Sequence, residues 1–209
     1  MNDSGCSQYL NEATKALGLI PTQNVLHLAG ELYSAWESKK QVFLCGNGGS
    51  AANALHIAND LVCGLEGVAS VGIHSLALTG NISQFSCLAN DHGYDQVFSR
   101  ALRTQARSDD ILIALSGSGN SENILSAIRT ANDLGLKSFA ITGYSGGKAS
   151  TLAKNSIHTP VNDMQISEDI QLIIGHWSIR LLRQMIKENK PIEAGQARSP
   201  RPAKYASDI

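Results

Sequence analysis

The sequence predicts an α/β fold in which a parallel sheet is wrapped by helices on both faces. Three observations carry that expectation. Short apolar runs end in glycine-rich turns, as in QVFLCG (41–46), DILIALS (110–116) and SFAITG (138–143). Each run is followed by a stretch of helical character, and a strand–helix alternation of this kind gives right-handed crossovers between parallel strands. The 209 residues are 43% hydrophobic, a length usual for one domain and a composition too apolar for a disordered chain.

The elements follow in order. Residues 5–18 place Tyr9, Leu10, Ala13, Ala16 and Leu17 at helical spacing, and Pro21 opens a second helix through Val25, Leu28, Ala29, Leu32 and Trp36. QVFLCG then changes the period to that of a buried strand. AANALHIANDLV after Ser50 reads as a helix. A strand is expected near 69–78, with helices near 81–90 and 94–106. ENILSAIRTANDLG follows the 110–116 strand, and a short helix ending near Lys154 follows the 138–143 strand. SIHTPV (156–161) reads as a last strand, and a long helix is expected over 166–189. Residues 1–190 are expected to form one domain, and the Pro-rich, apolar-poor 191–209 a flexible tail.

Composition excludes several functions. Seventeen basic and 18 acidic residues give a net charge of −1, so bulk electrostatics attracts neither nucleic acid nor a membrane. No apolar run reaches the ~18 residues of a bilayer span, and the first residues lack the pattern of a signal peptide, so a cytoplasmic protein is expected. Cys6, Cys45, Cys63 and Cys87 lack zinc-site spacing and read as free thiols. Charged residues are 17% of the chain, against roughly 25% in a typical soluble domain. Low charge suits a surface partly covered by other subunits, and a large core also dilutes charge.

The chemistry concentrates in two loops. Ligands of an α/β sheet bind at the carboxyl ends of strands, where this chain carries GNGGSA and GSGNSEN. The first lacks the lysine of a P-loop and the second is not GxGxxG. Ser50, Ser116, Ser118 and Ser121 offer hydroxyls, and the glycines admit a ligand to backbone N–H groups at helix N-termini. Serines also cap helices and make turns, but two such loops suit a phosphate monoester. His56 and Asp60 lie one turn apart on one helix face, a half-site for Zn²⁺. By itself the pair is weak evidence, because a histidine flanked by Leu55 and Ile57 is more often a satisfied core residue than a ligand.

FLCGNGGSAANALHIANDL, LANDHGYDQVFSR and ALSGSGNSENILSAIRTANDLGLK resemble the sugar isomerase (SIS) domain family, and within it the phosphoheptose isomerases. The resemblance spans roughly residues 8–188. It implies a three-layer α-β-α sandwich around a five-stranded parallel sheet of flavodoxin-like type, a homotetramer with sites shared between subunits, and conversion of sedoheptulose 7-phosphate into D-glycero-D-manno-heptose 7-phosphate for heptose and lipopolysaccharide synthesis. Asn47, Gly48, Gly49 and Ser50 match the first substrate loop, Asn90 and Asp91 a sugar-contacting pair, and Ser116, Gly117, Ser118 and Ser121 the phosphate loop. One zinc per subunit is implied on His56, Asp60, Glu168 and His176, with Asp60 as base, His176 as acid and Glu168 also beside the substrate. Asp60 replaces the family's glutamate and Glu168 its glutamine. Starting the last pair from Gln171 instead would place Ile179, which cannot bind metal, at the ligand position. His27, His74 and His158 read as structural, and His92 as a loop histidine. A non-catalytic tetrameric relative, binding a phosphosugar or the replication initiator, and an aminosugar-phosphate isomerase or sensor are the alternatives.

Overall fold

Five parallel strands in the order β2-β1-β3-β4-β5 form the sheet of the computed structural model, which describes residues 4–189. Helices α1 (Ser4–Leu17) and α2 (Thr22–Glu37) precede β1 (Val42–Cys45). Helix α3 (Gly49–Cys63) crosses to β2 (Ser75–Ala77), and α4 (Ile82–His92), a 3₁₀ turn (Tyr94–Gln96) and α5 (Val97–Gln105) lead back to β3 (Ile111–Ser116). Then come α6 (Glu122–Asp133), β4 (Lys137–Thr142), α7 (Ala149–Leu152), β5 (Asn155–His158) and α8 (Met164–Asn189). The expected tail, 191–209, lies outside the described residues.

Alternation along the buried strands sorts the core into two layers. Val42, Leu44, Ile111, Ile113, Leu115, Phe139 and Ile141 face one side, against α2, α3 and α8. Phe43, Cys45, Leu112, Ala114 and Ala140 face the other, against α5, α6 and α7. A side chain as fully buried as Phe43 or Leu112 contributes about 1.5–3 kcal/mol by leaving water. The three-layer α-β-α sandwich expected of the sequence is present.

Only Ser75–Ala77 of the apolar stretch 69–78 pairs, with Val42–Leu44. The residues before it turn, and Val68 and Ile73 reach the core from irregular backbone. Among the described residues no helix is long and apolar enough to cross a membrane.

The strand order places the site. The chain leaves β1 towards β2 on one side and returns to β3 on the other, so crossovers diverge between β1 and β3. In an open α/β sheet such a switch point opens a crevice at the carboxyl ends. Loops 46–49 and 117–121 sit at that end, after Cys45 and Ser116.

Candidate functional site at the switch point

The second loop is a preformed set of donors. Ser116 is buried, and its Oγ accepts from the Gly119 N–H at 3.1 Å. Ser118 Oγ accepts from the Asn120 N–H at 3.3 Å. A hydroxyl that accepts still has its proton to donate, and among the described residues no acceptor takes either one. Ser121 caps α6 with extended backbone and no side-chain hydrogen bond. Three hydroxyls and the first N–H groups of a 12-residue helix are thus free for an anion.

The loop is held from behind by the turn after β4. Gly119 has φ +67° and lies against the Gly146 carbonyl, where a Cβ would collide. The Ala149 N–H donates to the Gly119 carbonyl at 2.9 Å. Asn120 bridges the two segments, donating to the Ser118 carbonyl at 3.0 Å and accepting from the Lys148 N–H at 3.1 Å. Glu122 in the first turn of α6 carries a charge that would repel a phosphate. Its hydrogen bond from Arg129, then the charges of Arg129 and Lys148, hold its carboxyl below the usual range.

On the other core layer, α3 and α8 bring three candidate ligands together. His56 Nε2 lies 2.9 Å from His176 Nε2, and Asp60 Oδ2 lies 3.4 Å and 3.5 Å from the two. Ligands about 2.0–2.1 Å from a tetrahedral Zn²⁺ are separated by roughly 3.3–3.4 Å. The two histidine–carboxylate separations match an edge of such a tetrahedron, the histidine pair is closer than one, and two imidazoles with a carboxylate are a donor set that suits the metal. Asp60 Oδ1 has only a long contact, 3.5 Å from Asn59 Nδ2. The helices approach closely because residue 175 is glycine: a Cβ there would fall 2.6 Å from Ile57 Cδ1.

Glu168 does not join this group. Among the described residues, those close enough to share an ion are His56, Asp60 and His176. The Glu168 carboxylate lies over Gly49 at the start of α3, and Asn53 Nδ2 donates to the Glu168 carbonyl at 2.8 Å. The expected four-ligand set is thus three ligands plus a carboxylate at the mouth of the first loop. The Glu168 carboxylate lies against Gly49, seven residues and so about two turns of α3 before His56. Ile179, on the rival register from Gln171, is buried in the core.

The first loop contributes backbone shape and a bridge. Gly48 precedes α3 with φ +55°, a conformation glycine adopts without strain, and Ser50 is buried. Asn47 and Asn123 exchange two hydrogen bonds of 2.9 Å, and the Tyr94 hydroxyl donates to Asn47 Oδ1 at 2.8 Å. Asn47 keeps one free amide proton for a substrate. Asn90 and Asp91 end α4, both exposed. The Asp91 carboxylate accepts from Asn90 Nδ2 at 2.8 Å and from the Cys87 thiol at 3.4 Å. These hydrogen bonds, Asn90's first, lower the Asp91 pKa, and the same contact raises that of Cys87. Asn120 and Asn123 stood inside the GSGNSEN motif without an assigned role, and Tyr94 and Gly175 had no role in the sequence reading, since the partners Lys148, Asn47 and Ile57 lie far along the chain.

The pattern of the SIS domain matches residues 8–143. This chain belongs to the SIS-domain family. Among relatives, this SIS protein is 39% identical to the phosphoheptose isomerase of Aliarcobacter butzleri, over 68% of this chain and 75% of that one. It is 34% identical to that of Aquifex aeolicus, over 79% and 86%. The structure of a phosphoheptose isomerase from Francisella tularensis superposes with a TM-score of 0.80 at 27% identity, covering 87% of this chain and 96% of that one.

Proposed function

We propose that this SIS protein is a phosphosugar aldose–ketose isomerase acting on sedoheptulose 7-phosphate to give D-glycero-D-manno-heptose 7-phosphate. The observation that carries the reading is the pairing of free serine hydroxyls at the N-terminus of α6 with a His-Asp-His cluster on α3 and α8. One half suits a phosphate and the other suits the reacting end of a sugar. The relatives' shared name supports the heptose substrate.

Within this reading Ser116, Ser118 and Ser121 bind the phosphate, and Gly117 lets the backbone approach it. That remote binding energy orients the reacting carbons. Asp60, through its less engaged Oδ1, takes the proton from C1 and returns it to C2. His176 meets the cluster through Nε2, and its other nitrogen has no hydrogen bond among the described residues, so it serves the substrate oxygens as acid. His56, Asp60 and His176 would hold one Zn²⁺, which supplies Lewis-acid polarisation of carbonyl and hydroxyl oxygens. Asn90, Asp91 and the remaining proton of Asn47 recognise sugar hydroxyls, with Gly48, Gly49 and Ser50 shaping the wall. Glu168 acts as a neighbour of the substrate at Gly49.

The same reading makes the protein a homotetramer. Leu10 and Leu17 on α1, Leu55 and Val62 on α3, Val71, and Ile82 on α4 expose large apolar side chains that further copies of the chain would cover. A monomeric mass by light scattering at micromolar concentration would overturn the assembly. The activity is tested by incubating purified protein and Zn²⁺ with sedoheptulose 7-phosphate and following the aldose by NMR. Absence of aldose product from metal-loaded protein would overturn the function.

A further inference from the structure

We infer that Asn47, Asn123 and Tyr94 form a brace that sets the distance between the two halves of the site, making Asn123 and Tyr94 positioning residues for the isomerisation. The inference rests on the function proposed above. Each member belongs to a different part. Asn47 stands in the turn that starts α3, the helix of His56 and Asp60. Asn123 is in the first turn of α6, beside the phosphate loop. Tyr94 follows α4, which carries Asn90 and Asp91.

The brace is closed in hydrogen-bonding terms. Asn47 Oδ1 accepts from both Asn123 Nδ2 and Tyr94 Oη, filling its two lone pairs, while its Nδ2 donates to Asn123 Oδ1. Asn123 is 1% exposed. Breaking the pair would strand a buried amide, so the arrangement resists sliding. Phe85 of α4 holds the Tyr94 ring edge-on, with centroids 6.0 Å apart. These contacts matter because the crevice lies where β1 and β3 diverge. Backbone pairing between β1 and β3 ends at Cys45 and Ala114, and beyond that point side chains tie the two loops. A substrate held at its phosphate by one loop and at its carbonyl end by the other reacts only if that span is fixed, and a misplacement of about 1 Å costs about 10²-fold in rate.

The experiment compares Asn123→Leu and Tyr94→Phe with the unaltered protein, all shown to be folded by circular dichroism and thermal melting. Inorganic phosphate and Zn²⁺ serve as separate probes of the two halves. The expected result is affinity for both within about threefold of the unaltered protein. kcat for sedoheptulose 7-phosphate should fall about 10²-fold in Asn123→Leu and less in Tyr94→Phe. Hydrogen exchange should rise in segments 46–50 and 117–121 together. A kcat within twofold of the unaltered protein overturns the brace, as does exchange that rises around α6 alone. If unaltered metal-loaded protein does not isomerise the sugar, the proposed function falls, and the exchange pattern alone still decides the brace. Should Asn123→Leu fail to fold, Tyr94→Phe, which removes one oxygen from an exposed side chain, decides it by the same measurements.

Discussion

The proposed phosphate half of the crevice is built from a run of neighbouring residues after β3, whereas the proposed metal half joins α3 to a histidine 120 positions further along the chain. The first is held by local geometry: Ser116 and Ser118 cap their own turn, and the β4 turn supports it from behind. The second depends on how closely two long helices pack. A local site survives small shifts of the core, but a site shared between helices inherits every change in their separation. The two halves should therefore fail independently and for different reasons.

The largest expected effect is on chemistry alone. Asp60→Asn removes a negative charge and a proton acceptor with little change in volume. It should lower kcat by about 10²–10⁴-fold, the usual contribution of a general base. Thermal stability and inorganic phosphate affinity should stay near those of the unaltered protein, and full activity would remove Asp60 from the mechanism.

A reciprocal pair of changes sharpens the contrast. Ser116→Ala with Ser118→Ala should weaken inorganic phosphate binding by roughly 1.5–3 kcal/mol per lost charged hydrogen bond, leaving Zn²⁺ binding intact by calorimetry. His176→Ala should do the reverse. If either change disturbs both ligands equally, the halves are one unit.

Gly175→Ala probes the helix packing. The added carbon meets Ile57 at 2.6 Å, and overpacking of a tight contact costs about 1–3 kcal/mol. Zn²⁺ affinity should fall with stability while phosphate binding holds, and Ile57→Val should restore part of both. Unchanged Zn²⁺ affinity would show that Gly175 does not set the ligand spacing.

The smallest effect is on thiol reactivity. Burial pushes the Cys45 thiol up to about 12, so it stays protonated and unlabelled by an alkylating reagent at pH 8. The raised value means that the protonated thiol's contribution to stability is present below the ordinary thiol range and is lost only as pH rises towards 12. Cys87 is exposed but raised by its hydrogen bond to Asp91. Asp91→Asn should therefore speed its labelling, and equal rates in the two proteins would break that link.

What could be read from the chain follows the same division. Ser116–Ser121 were legible because a buried strand, a glycine turn and a capped helix are consecutive, and their pattern marks the family. His56 and Asp60 were legible as a pair but ambiguous with a core histidine. Only family resemblance pointed to His176, because no local rule connects residues that far apart. Glu168 was misplaced for the same reason: spacing along a helix gives its face, but where its carboxylate rests depends on Gly49 across the interface. Asn123 looked like an ordinary first-turn residue until Asn47 and Tyr94 were seen against it.

Helix α4 has no buried residue, and it meets the core only through partly buried Phe85, Leu88 and Ala89. Local stability follows such packing, so an element with few buried contacts opens at a fraction of the cost of global unfolding. In a single chain the wall that bears Asn90 and Asp91 is therefore the least buried part of the crevice, and the copies of the chain proposed to cover Ile82 would add to what holds it. Under the proposed function, access of a phosphosugar to the crevice would then depend on that one surface helix and on what covers it.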